Sequence, residues 1–281
     1  MTVPNLEISC GFAPGPHTPE QVRLAEDLGY ERAWFFDSPA LYQDIWVTMA
    51  LAAERTERIT LGTAVLVPGL RHPLTQASAI ATLESLAPGR IVVAIGTGFT
   101  GREALGQKAM PWADTRTYIA QVKGLLEGEA MVIDGALVKM IPPAGFLPDR
   151  PMKVPIVVAA NGPKGFAVAK ELGDGVMTVI GGNPDFDWSS QLTFGTVLDP
   201  GESADSERVY AQVSARCPIA IRPVKPVPIA ATVRPGARSS SVAIALAWVS
   251  GWRRFGTSTA GPSPIRSVRN AASAAITQMS G

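Results

Sequence analysis

Four apolar runs, LEISCGF, RAWFFD, ITLGTAVLV and RIVVAIG, begin at residues 6, 32, 59 and 90, and a helix-like stretch follows each of the first three. The repeat is about 30 residues, the length of one strand–helix unit of a parallel sheet. The runs are nearly continuous Val, Ile, Leu and Phe rather than alternating, and strands of that kind must be covered on both faces. In the first unit, TPEQVRLAEDLGY, Thr18 is expected to cap the helix with Pro19 at its first position. Glu20 and Glu26 fall on the polar face, and Gly29 ends the helix. The next two helices read DIWVTMALAAERT and HPLTQASAIATLESLAPG.

After the fourth run the period breaks for an insertion at about residues 97–153. It holds a helix, TYIAQVKGLLEG, and then AMVIDGALVKM, where Asp134 and Gly135 between two apolar runs predict a hairpin turn. The period resumes with VPIVVAAN, GPKGFAVAKELGDG, VMTVIGG and LTFGTVLD. Seven strands joined by right-handed crossovers predict a (β/α)8 TIM barrel, whose usual length is about 250 residues; a doubly wound sheet is the alternative. The barrel domain is expected to occupy residues 1–210, with residues 211–281 as a separate tail.

The chain is 46% hydrophobic and 17% charged, yet no run reaches the roughly 18 apolar residues of a membrane span. MTVPNLEISC lacks a basic start and a long apolar stretch, so a cytoplasmic location is expected. Cys10, Cys217, His17 and His72 are the only cysteines and histidines, and their spacing supports neither a disulfide framework nor a metal site.

Gly96, Gly98 and Gly101 in VVAIGTGFTGRE have G-x-G-x-x-G spacing. A dinucleotide fingerprint belongs in the first strand–helix turn and needs an acid about 20 residues on. This one follows the fourth strand, and YIAQVKGLL offers no acid before Glu127. In a barrel, Thr97 and Gly98 would instead lie on the strand-end face where active sites form, with a plain flexible turn as the alternative. Strand five runs into Asn161, Gly162, Pro163 and Lys164, a helix start suited to a phosphate. Gly181 and Gly182 after strand six would add backbone N–H groups, and a purely structural cap at Asn161 is the other reading. Asp37 ends strand two, a catalytic or ligand-binding position or else a cap ahead of Pro39. Strand three passes through Gly62, Thr63, Ala64 and Val65, and His72 is expected at the surface where the third helix starts.

AWFFDSP, RITLGTAVLVPGLRHP, LESLAPGRIVVAIGTG, LLEGE, PIVVAANGPK and GDGV, in that order, resemble the bacterial luciferase-like oxidoreductases, in particular relatives of methylenetetrahydromethanopterin reductase that use a deazaflavin. The resemblance runs to about residue 210. It implies hydride transfer between coenzyme F420 and a small organic substrate. An FMN-dependent monooxygenase of the same fold, or a catalytically dead barrel with a basic binding tail, is the alternative. It also implies a bulge on strand three, often with a non-prolyl cis peptide, which here would be Ala64–Val65. Thr63, Ala64, Val65, Thr97 and Gly98 would then meet the ring, and Asn161, Gly162, Gly181 and Gly182 the phosphate. Relatives often place a histidine after the strand-two aspartate, whereas Ser38 follows Asp37 here. Arg71, Arg102 and Lys108 are cations for an acidic deazaflavin tail, or plain solvated surface. Neither nucleic acid nor membrane is expected as a partner, and relatives are commonly homodimers.

All 24 acids lie in residues 1–207, while residues 209–281 carry nine Arg or Lys and no acid. QVSARCPIAIRPVKPVPIAATVRPGARSSS has Pro too densely spaced for a helix or a central strand. A slip of the reading frame near residues 211–216 produces this composition, since shifted GC-rich codons read as Arg, Pro, Ala, Gly and Ser. A basic segment for nucleic acid or anionic lipid is the competing reading. With an unnatural tail, strand eight is expected to be missing, with open edges on strands one and seven, lower stability and weak or absent activity.

Overall fold

The structure, a computed structural model, describes residues 6–179, 181–195, 201–203, 205–207 and 240–246. The four apolar runs form β1 (Leu6–Phe12), β2 (Arg32–Phe35), β3 (Thr60–Leu66) and β4 (Ile91–Ile95). After the insertion come β7 (Ile156–Ala159), β8 (Gly175–Thr178), β9 (Ser189–Gly195) and β10 (Ser240–Leu246). All eight pair in parallel and close in the order β1, β10, β9, β8, β7, β4, β3, β2. This is the expected (β/α)8 barrel. Its outer layer includes α1 (Thr18–Asp27), α2 (Ile45–Arg55), α3 (Pro73–Leu86), α5 (Trp112–Glu127) and α6 (Pro163–Leu172).

The eighth strand corrects the sequence reading. β10 lies in the acid-free segment and pairs with β1 on one side and β9 on the other, so the expected open edges of strands one and seven are filled. It follows the proline-dense stretch and uses SSVAIAL, a run of small and β-branched residues that suits a strand. The frame-slip and binding-tail readings otherwise fall on residues outside those described. β9 also starts earlier than expected, because its first residues, Ser189, Ser190 and Gln191, are polar yet buried.

Successive residues of a strand point to opposite faces, and each strand therefore serves two cores. Ile91, Val93 and Ile95 of β4 join the layer between barrel and helices, while Val92 and Ala94 point inward. The inner core is Trp34, Ala64, Val92, Ala94, Val157 and Met177, with Trp188 and Leu192 packed beside it. Trp34 fits only because β3 presents a glycine to it: a Cβ on Gly62 would stand 2.5 Å from the Trp34 ring and 2.7 Å from Val92 Cγ1. At the N-terminal mouth the Arg32 guanidinium lies 4.9 Å from the Trp188 ring centre and 5.7 Å from that of Trp34, and Nη1 is 3.1 Å from Glu7 Oε2.

Two expectations for α1 are overturned. Thr18 is its first residue, not its cap: Oγ1 accepts from Gly15 N at 2.9 Å and donates to Ala13 O at 2.9 Å, folding the turn before the helix. Glu26 is buried rather than on a polar face. Its carboxylate accepts from the backbone N–H groups of Glu57, Arg58 and Ile59, at 2.6 Å and 2.7 Å for the last two, and so ties α1 to the start of β3. Burial raises its pKa, but the three N–H groups and the nearby Arg58 outweigh that and leave it lowered.

The insertion is built as expected. α5 ends at Gly128 in the left-handed region, and β5 (Met131–Ile133) pairs antiparallel with β6 (Ala136–Val138). Asp134 and Gly135 have φ of 50° and 80°, the pair of positive values that a tight two-residue hairpin turn requires.

Candidate active site

The C-terminal ends of the strands gather the predicted site residues. β3 pairs with β4 in register up to Thr63 and again at Leu66, with a bulge between them, and the Ala64–Val65 peptide is cis, at the bond the resemblance singled out. Thr63 is fully buried and its Oγ1 donates to Ala94 O at 2.8 Å, which pins β3 to β4 just below the bulge. Ala64 and Val65 pack with Ala159 around the upper end of the inner core, and Val65 is half-buried at the mouth.

The glycine motif is what lets the neighbouring loop close over this bulge. A Cβ on Gly96 would stand 2.9 Å from Val65 Cγ2 and 3.4 Å from Ala159 Cβ. Gly98 has φ 72° and abuts Val67 and Arg102, while Gly101, in the short helix α4 (Thr100–Glu103), lies against the Asp37 carbonyl and Leu70. The G-x-G-x-x-G spacing thus serves close packing of the β4 loop on the strand-three bulge. Thr97 is half-buried, and its carbonyl accepts from Met110 N at 2.8 Å, holding the loop that follows α4.

Asp37 is 4% exposed and engaged on both oxygens. Arg71 Nη1 donates to Oδ1 at 3.0 Å and to Oδ2 at 2.8 Å, and Val67 N donates to Oδ2 at 3.3 Å. Arg71 Nη2 reaches Asp44 Oδ2 at 2.8 Å, and Asp44 itself caps α2 by accepting from Trp46 N and Val47 N. Burial pushes the Asp37 carboxyl up, and Arg71 draws it only part of the way back. Burial would lower Arg71, but the two carboxylates raise it and keep the guanidinium charged. The alternative of Asp37 as a helix cap is set aside, since that role falls to Asp44.

The expected cations are mostly committed elsewhere. Arg71 is spent on two carboxylates, and Arg102 donates to Lys108 O at 2.8 Å and Pro68 O at 3.2 Å. Lys108 is exposed. His72 is exposed and caps α3, its Nδ1 accepting from Leu74 N at 3.1 Å.

On the other side of the mouth, Gly162 rather than Asn161 occupies the cap position of α6, and no side chain caps that helix. Asn161 Oδ1 accepts from Val179 N at 2.9 Å, so the residue joins the loops after β7 and β8. The Gly181 carbonyl accepts from Thr178 Oγ1, and Asn183 N donates to Ser189 Oγ at 2.8 Å, which ties the loop that carries the glycine pair to the end of β8 and the start of β9. Position 162 faces open space, with no atom within 4 Å of where a Cβ would stand. Among the described residues no cluster of His, Cys, Asp or Glu could hold a metal ion, and no helix is long and apolar enough to cross a membrane.

Sequence reasoning missed Arg71 as the partner of Asp37, and Tyr118, whose Oη donates to the Arg71 carbonyl at 3.1 Å from α5. Asp44 carried a signal: an aspartate directly before the apolar run IWVT is a cap signature.

Comparison with known proteins accords with this architecture. Residues 11–187 match the luciferase-like monooxygenase family, and the chain belongs to it. It is 41% identical over 175 residues to the F420-dependent glucose-6-phosphate dehydrogenase of Beutenbergia cavernae, covering 56% of this chain and 51% of that protein. It is 30% identical over 216 residues to the 5,10-methylenetetrahydromethanopterin reductase of Archaeoglobus fulgidus, covering 71% of this chain and 64% of the other. The chain thus spans about half to two thirds of the length of these relatives. The solved F420-dependent tetrahydromethanopterin reductase of Methanopyrus kandleri superposes with a TM-score of 0.52 at 25% identity, covering 65% of this chain and 58% of that one. An F420-dependent secondary alcohol dehydrogenase shares the fold, with a TM-score of 0.59 at 21% identity over 76% of each chain.

Proposed function

We propose that this chain is a deazaflavin-dependent oxidoreductase that binds coenzyme F420 across the C-terminal face and exchanges a hydride with a small organic substrate. The observation that carries the reading is the pairing, on one face, of an apolar shelf with an anion site. Ala64, Val65 and Ala159 form the shelf, and the uncapped start of α6, tied through Asn161 to the loop after β8, supports a reading in which that start and the Gly181–Gly182 loop take an anion. The relatives named as F420-dependent support the same cofactor.

The residues present fit such a group. A helix start leaves its first N–H groups without intrahelical partners, and the positive end of the helix dipole favours an anion. Gly162 leaves the space above that start open, Lys164 adds an exposed cation, and Asn161 holds the second loop against it. On the shelf, Gly96 allows Val65 to lie across the end of β4, so an apolar surface is offered to a flat ring. The cofactor, when bound, supplies the hydride chemistry, and the protein orients it and shields the face from water. Asp37 is held in an ion pair with Arg71, so its role here is to position the loop that carries the shelf, not to hand a proton to substrate.

Titration of the full chain with coenzyme F420, and separately with FMN, followed by cofactor fluorescence, tests the proposal. Saturable binding of F420 that is competed by inorganic phosphate is expected. Saturable binding of FMN alone overturns the choice of cofactor, and binding of neither overturns the function.

A further inference from the structure

We infer that Arg71 is a positioning residue whose guanidinium clasps Asp37 and Asp44 together and thereby fixes the strand-three shelf against which the cofactor ring rests. The inference deepens the proposed function and rests on it for the identity of the ligand; the clasp itself is read from the geometry.

Arg71 stands where four elements meet. Through Asp37 it holds the end of β2, and through the Asp37 bond to Val67 N it fixes the backbone just beyond the bulge. Through Asp44 it reaches the cap of α2, and its own carbonyl takes the Tyr118 hydroxyl of α5. The α4 loop closes the arrangement from above, with Gly101 against the Asp37 carbonyl and Arg102 on Pro68 O. Asp37 is nearly inaccessible to water, so its charge is tolerable only while the guanidinium faces it on both oxygens. The charged or titratable groups facing it are Arg71, Asp44 and Tyr118. Without Arg71, Asp37 and Asp44 repel each other across the same space, and the buried charge is relieved by movement of the 64–71 segment that lets water reach Asp37 or, as pH falls, by a proton on Asp37.

The prediction separates a clasp from a merely stabilising ion pair. In the full chain, Arg71→Met is expected to weaken F420 binding at neutral pH at least about tenfold, and binding should recover as pH falls and Asp37 takes up a proton. Arg71→Lys keeps the charge without the fork, so its loss is smaller and nearly independent of pH. The double variant Asp37→Asn with Arg71→Met removes the stranded charge while leaving an amide oxygen for Val67 N, and binding should return to within about threefold of the original. Amide hydrogen exchange of residues 64–71 without cofactor should be faster in Arg71→Met and restored in the double variant. If Arg71→Met does not fold, a double variant that folds and binds supports the clasp, and one that does neither overturns it. A lower melting temperature with unchanged affinity, unchanged pH profile and unchanged exchange at 64–71 also overturns it. Absence of F420 binding by the original chain counts against the proposed function alone, because the exchange measurement reads the clasp without the cofactor.

Discussion

Replacing Glu26 by alanine is expected to lower the unfolding free energy by about 1 to 3 kcal/mol, since of the three backbone N–H groups that lose their acceptor, that of Ile59 belongs to a buried residue while those of Glu57 and Arg58 regain water. The carboxylate is the sole acceptor shown for the N–H groups of Glu57, Arg58 and Ile59 among the described residues, and Ile59 is buried. The pH dependence has a defined sign. A carboxylate whose pKa is lower in the folded state stabilises the fold above its unfolded value, near 4.3, and that contribution is lost as pH falls through the folded value. Urea unfolding at neutral pH and again at successively lower pH measures both effects. The Glu26→Ala chain should start lower and lose less on acidification; equal acid slopes would show that Glu26 does not anchor the β3 start as an ionised group.

Trp34→Ala is expected to cost about 3 to 5 kcal/mol, because the indole is fully buried at the centre of the barrel and its removal leaves a cavity that eight strands cannot collapse into. Gly62→Ala should cost about 1 to 3 kcal/mol in the original chain, where the added methyl meets the indole and Val92. In the Trp34→Ala background the methyl no longer meets the indole and only the Val92 contact is left, so the cost should fall to well under half. A double-mutant cycle by denaturant unfolding reads this coupling, and simple additivity would mean that Trp34 and Gly62 do not share one packing site.

The barrel was legible because its first four strands are long continuous apolar runs at a regular interval, and the helices between them start and stop where Asp44, Pro73 and Gly29 indicate. Legibility failed where that signal is replaced by another. β9 opens on Ser189, Ser190 and Gln191, polar residues that only the closed barrel buries, and β10 sits in a stretch whose composition had broken from the rest of the chain. In the site, the bulge at Ala64–Val65 and the glycine strand ends were accessible, the first through family resemblance and the second through spacing. The contacts that assign work to individual side chains were not. Asp37 and Arg71 are 34 residues apart, and Glu26 and Ile59 are 33 apart, so each pairing exists only once the barrel brings adjacent strand–helix units together. Local sequence gives a carboxylate at a strand end no means of showing whether it faces a ligand or a guanidinium. Thr18 shows the same limit at short range: its hydroxyl had two backbone groups to choose from, and it took Gly15 and Ala13 rather than the helix.

Amide hydrogen exchange of the full chain with and without saturating coenzyme F420 tests the cofactor face most directly. Protection is expected together at residues 64–67, 96–98, 161–165 and 181–182, the shelf and the anion site, with the Glu26 contact at residues 57–59 unchanged. Protection confined to other segments, or none at a cofactor concentration that saturates fluorescence, would contradict a deazaflavin bound across the strand ends.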